Sequence, residues 1–134
     1  EALTARLGLA DKVSHHIGNA LELPFAEGVF DVVWTQNSGM NIAAKEQMVA
    51  SFHRVLRPGG RFVFQEPMAG SVQPPLYPLM WADDATTNFL RAPSEMRALI
   101  ENAGFRVRAW QRHGDAWAED PGCYLTAQEI TAAA

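Results

Sequence analysis

The segment Val29-Phe30-Asp31-Val32-Val33-Trp34 is a nearly continuous apolar run rich in β-branched residues. It lacks the alternation of a strand with one wet face, so it reads as a strand buried on both faces of a parallel sheet. Parallel strands need crossover connections, and the following residues supply one. Over residues 42–56, Ile42, Val49, Phe52 and Leu56, flanked by Met48 and Val55, make one apolar stripe. Lys45, Glu46, Gln47 and Arg54 fall outside it, as on an amphipathic helix. That helix must stop at Arg57, because the residue before Pro58 is pushed out of the α region. Gly59-Gly60 then permits a sharp turn into a strand over 61–65, which Pro67 ends.

The remaining segments extend this pattern. Residues 1–7 have the apolar spacing of a helix end that Gly8 terminates, and residues 12–17 read as a short strand. A loop through Pro24 and Gly28 follows. Residues 68–91, with Pro74, Pro75 and Pro78, predict a long irregular, lid-like loop. Ser94 is placed to cap a helix through Met96, Leu99 and Ile100 to Gly104. Residues 105–110 alternate as a strand, and 126–134 carry the composition of a helix. The order strand, strand, helix, strand, helix, strand is α/β with a mostly parallel sheet, in one domain spanning 1–134.

Composition excludes several classes. The net charge of -4 and the scattered basic residues argue against a nucleic-acid surface. The single Cys123 excludes an internal disulfide or a Cys-based metal site and fits a reduced, cytoplasmic setting. No apolar run is long enough to span a bilayer, so no membrane partner is expected.

Ligands in open α/β sheets sit at the carboxyl ends of strands. That rule selects Gly18-Asn19-Ala20, Thr35-Gln36-Asn37-Ser38 and Gln65-Glu66-Pro67, each polar or small directly after an apolar strand. The plainer alternative is that polar residues simply end strands. His15 and His16 point to opposite sides of their strand and cannot chelate one metal together; no metal site is expected. His53 reads as structural. Tyr77 and Trp81 are read as lid packing, with an aromatic wall for a ligand as the alternative.

Asn19-Ala20, Leu23-Pro24-Phe25, Phe30-Asp31-Val32-Val33 and Val55-Leu56-Arg57-Pro58-Gly59-Gly60-Arg61-Phe62 form an ordered series. With these spacings it resembles class I S-adenosylmethionine-dependent methyltransferases of small molecules, of the ubiquinone, sterol and glycine-betaine pathway type. The likeness runs over roughly residues 1 to 110, and Ser94-Glu95-Met96 and Ala103-Gly104-Phe105 fit it too. It implies a Rossmann-like sheet, S-adenosyl-L-methionine as cofactor and a small-molecule methyl acceptor. In the family an acidic residue after the third strand accepts from the adenine amino group. Here Asn19 holds that position, and its carbonyl can accept without charge assistance. Ala20 and Leu21 follow it along the adenine edge, while Thr35, Gln36 and Asn37 pass beside the methionine part. Glu66 and His113 are the candidates for a catalytic role should the acceptor have to lose a proton.

The resemblance also implies an incomplete sheet. The family's glycine-rich turn after the first strand is not found in this sequence, so the first two strands, and the final antiparallel one, are expected to be missing. An open sheet edge of this kind invites association into a homo-oligomer. A methyltransferase-like domain used for binding or assembly is the rival reading, motivated by Asn19 in place of an acid. A nicotinamide dehydrogenase is a poorer third reading, since the sequence lacks a glycine fingerprint and a Lys four residues after Tyr77 or Tyr124.

Overall fold

A computed structural model describes residues 2–111 and 130–132. Strand β1 (Phe30–Gln36) and strand β2 (Leu56–Gln65) pair in parallel, joined by helix α2 (Lys45–Val55). The helix forms where the apolar stripe predicts, with Met48, Val49, Phe52 and Val55 buried along one side. Its first predicted residues, 42–44, stay irregular, preceded by a short 3-10 turn at Gly39–Asn41. Leu56 is already extended, so β2 begins before Pro58 and not after the glycines. Phe30 faces Leu56 and Val32 faces Arg61, so Asp31 stands opposite a looped-out Arg57-Pro58-Gly59-Gly60. Gly60 is required there, since a Cβ would lie 2.9 Å from the Arg57 carbonyl. An exposed ion pair of Arg57 and Asp31, 2.6 Å, spans the bulge.

Helix α3 (Pro93–Asn102) leads into strand β3 (Phe105–Val107). Ala92, not Ser94, stands at its N-cap: Pro93 opens the helix, and the Glu95 carboxylate accepts from the Ala92 N–H at 3.0 Å. Strand β3 ends three residues short of the expected 110, being no longer than its partner. That partner is β4 (Ile130–Ala132), which runs antiparallel between β2 and β3, giving the order β1-β2-β4-β3. The expected absence of a final antiparallel strand, and the helix expected over 126–134, are thus corrected at 130–132. The unpaired edges of β2 and β3 leave a slot for one strand, and Ile130-Thr131 suit it better than a helix. Three of the four strands share one direction, as a mostly parallel sheet requires.

Met48, Phe52, Phe62, Phe64, Met96, Ile100 and Phe105 form a single core cluster. Both α2 and α3 therefore cover the same sheet face. The opposite face is wet: Val32 is 51% and Trp34 67% exposed, although the run was expected to be buried on both sides. Helix α1 (Ala2–Arg6) forms as read, with Leu3 exposed. Residues 12–17, expected as a strand, form no strand pairing among the described residues, and Ile17 is fully exposed. A strand lives on its neighbours' hydrogen bonds, and none stands beside it.

Candidate functional site

The carboxyl ends of β1 and β2 lie side by side, Thr35 opposite Phe64 and Gln36 opposite Gln65. The chain leaves β1 with the Asn37 N–H on the Gln65 carbonyl at 2.9 Å and Asn37 at φ 49°, a left-handed turn that asparagine tolerates. Gln36, Asn37 and Ser38 are exposed there, and Thr35 is half-buried. Beneath the turn, the Glu66 carboxylate, 5% exposed, accepts from the Ser38 N–H (2.9 Å), the Gly39 N–H (2.9 Å) and the Ser38 hydroxyl (3.3 Å). The structure thus brings Thr35, Gln36, Asn37 and Glu66 together.

The sequence reading put Lys45 on the solvent side of α2; it is in fact buried, its ammonium donating to the carbonyls of Gly39 and Ile42. Burial pushes it down from 10.5 to about 8, against the pull of Glu66; Arg91 lowers it further and Glu46 raises it. Lys45 and Gly39 were missed as members of this cluster, whereas Ser38 lay in the stretch the strand-end rule selected. One signal was present. A cation in the first turn of a helix opposes the helix dipole, so such a lysine needs a partner elsewhere. Thr35, Gly39, Lys45 and Glu66 border a cavity of about 20 Å³, room for roughly one water.

Asn19, Ala20 and Leu21 stand apart on the loop before β1. Asn19 Oδ1 accepts from the Leu21 N–H at 3.0 Å, closing a local turn that leaves Asn19 exposed. The Ala20 N–H has no hydrogen-bond partner among the described residues. The loop is fastened to α2: Ser51 Oγ accepts from the Leu23 N–H (3.0 Å), and Arg54 donates to the carbonyls of Leu23 (2.6 Å) and Phe25 (2.7 Å). No hydrogen bond among the described residues joins Asn19, Ala20 or Leu21 to the Glu66 cluster.

The candidate His113 lies outside the described residues. His53 packs edge-on against Phe105 at 5.0 Å, as a structural histidine would, and His16 does the same against Phe25 at 5.3 Å. In the segment 68–91, Asn88 links Trp81 Nε1 (3.2 Å) to the Tyr77 hydroxyl (2.9 Å). The segment is closed at its base by the Ala69 N–H on the Arg91 carbonyl, and its Phe89 N–H reaches the Met40 carbonyl. Among the described residues no helix is long and apolar enough to cross a membrane.

A family model described as a methyltransferase domain matches residues 2–64, from the start of α1 to one residue before the end of β2. A sarcosine/dimethylglycine N-methyltransferase of Halorhodospira halochloris is 37% identical over 98 residues, 69% of this chain and 33% of that enzyme. A dimethylglycine N-methyltransferase of Parasynechococcus marenigrum is 30% identical over 114 residues, 81% of this chain and 39% of that enzyme. The chain therefore spans well under half the length of these relatives. Among solved structures, a geranyl diphosphate C-methyltransferase from Streptomyces coelicolor, held with Mg2+, geranyl diphosphate and S-adenosyl-L-homocysteine, shares the fold. Its TM-score is 0.78 at 13% identity, over 97% of this chain and 58% of that one.

Proposed function

We propose that this chain, which belongs to the class I S-adenosylmethionine-dependent methyltransferase family, serves methyl transfer to a small-molecule acceptor in the protein that carries it. The observation that carries the reading is that the chain offers both an Ala20 N–H without a partner among the described residues and an exposed amide turn at the end of β1. Both lie on loops tied to the same helix–strand unit. When bound, S-adenosyl-L-methionine supplies a sulfonium-borne methyl group open to in-line displacement.

The residues present fit that cofactor at two places. Asn19 Oδ1 keeps a lone pair beyond the one given to Leu21 and can accept from an adenine amino group, while the Ala20 N–H donates to a ring nitrogen. Leu21 is half-buried beside them and gives the ring an apolar flank. Thr35, Gln36 and Asn37 offer neutral polar groups along the methionine part, which suits a zwitterion without adding net charge. Such a site works by orienting the acceptor and excluding water, and it asks little of ionisable side chains. The segment 68–91 is read as its lid, a role supported by its attachment at Met40 beside the β1 turn. His113 stays a candidate base for an acceptor that must lose a proton. A reduced, cytoplasmic setting belongs to the same proposal and is supported by the lone Cys123.

The test is calorimetric titration of the whole protein with S-adenosyl-L-methionine, in wild type and in Asn19→Leu. Saturable binding that weakens in the variant is expected. A wild type that takes up no cofactor would favour the second reading, a methyltransferase-like domain kept for binding or assembly. That reading draws on the neutral Asn19 and on its side chain being turned toward its own backbone.

A further inference from the structure

Among the described residues, the groups hydrogen-bonded to Glu66 are all donors from one short stretch. Its two oxygens take the Ser38 N–H at 3.1 and 2.9 Å, one of them takes the Gly39 N–H at 2.9 Å, and the Ser38 hydroxyl adds a third donor at 3.3 Å. Gly39 approaches so closely that a Cβ there would stand 3.3 Å from the carboxyl carbon. From the other side, the Lys45 ammonium takes the Gly39 and Ile42 carbonyls. The turn is thus gripped on its N–H side by an anion and on its C=O side by a cation. The adjoining cavity has room for about one water, which leaves no space for an acceptor to meet the carboxylate. A general base must come within hydrogen-bond reach of the proton it removes.

What the grip does control is the preceding pair of residues. Gln36 and Asn37 are exposed, and among the described residues the only hydrogen bond from the Asn37 backbone to the sheet is its N–H on the Gln65 carbonyl. Without the carboxylate, two N–H groups directly downstream would lose their partners and the turn would be free to rotate. We infer that Glu66 is a positioning residue: it clamps the Ser38-Gly39 turn and thereby sets the presentation of Gln36 and Asn37 to the cofactor. The inference rests on the proposed function and deepens it.

The experiment uses the whole protein and two variants, Glu66→Gln and Gly39→Ala. The first replaces an acceptor oxygen by a donor, which opposes the N–H groups. The second displaces the carboxylate without touching any ionisable group, and it carries the same readouts should Glu66→Gln fail to fold. In both, amide exchange at Ser38 and Gly39 should quicken about tenfold and the cofactor Kd should weaken by a similar factor, as expected for losing one charge-assisted hydrogen bond. The pH profile of kcat should keep its shape. Faster exchange with unchanged cofactor affinity overturns the inference alone, as does loss of one limb of the pH profile in Glu66→Gln, the mark of a base. A wild type that binds no cofactor overturns the proposed function and this inference together.

Discussion

At Lys45 a single residue sets a pH dependence whose sign follows from burial. The unfolded chain holds this proton up to the ordinary lysine value of 10.5, whereas the folded chain releases it near 8. Between those values the unfolded state binds more protons, so unfolding becomes harder as pH rises through the window. The charged form is the strained one: its solvation is lost, and two carbonyls and the nearby Glu66 only partly replace it. Denaturant midpoints should therefore climb from pH 8 to 10.5 in the wild type more steeply than in Lys45→Met. Equal slopes would mean that Lys45 keeps its normal affinity for the proton. The same variant should be less stable than wild type near neutral pH, because the Gly39 and Ile42 carbonyls lose their donor and Glu66 its counter-charge.

Among the elements, those whose burial is decided locally were legible in the sequence. Helix α2 is fixed by its own stripe and by the proline after it, and β2 by three alternating phenylalanine and valine positions. Strand β4 was not legible, because three residues carry little local pattern and its place is decided by the slot between β2 and β3. The segment at 12–17 failed in the opposite sense: its pattern suits a strand, yet no partner strand lies beside it among the described residues. The site divides in the same way. The strand-end rule selected Gln36, Asn37 and Glu66, which lie together in the structure, but the buried Lys45 depends on its contacts with the Gly39 and Ile42 carbonyls, which no periodicity records. Strand β1 carries the element-scale prediction. Among the described residues it is the edge of the sheet, and Val32 and Trp34 lie exposed on it. Open edges with apolar side chains invite pairing with another chain, and an inward or edge lysine blunts it. Residues 1–134 on their own should self-associate at high concentration, and Trp34→Lys should shift the mass by light scattering toward the monomer. A wild-type monomer at every concentration would count against this.

For the molecule as a whole, the question is how much of a cofactor site one helix-covered sheet face can supply. The helices α2 and α3 both lie on one side, so the residues that meet a ligand are confined to loops at the strand ends. Of these, Asn19 and Ala20 offer one neutral acceptor and one N–H, and the β1 turn offers two amide side chains. Neutral hydrogen bonds contribute about 1 kcal/mol each once water is displaced. Association costs at least about 4 kcal/mol in lost translational and rotational freedom. A handful of neutral contacts barely offsets that, and the sequence holds no glycine-rich turn to bring a run of N–H groups onto the ligand. Residues 1–134 alone should therefore bind S-adenosyl-L-methionine no more tightly than about millimolar, the affinity that corresponds to roughly 4 kcal/mol. Calorimetry on the isolated chain decides it: micromolar binding would mean that the adenine edge and the Glu66-clamped turn form a nearly complete site by themselves.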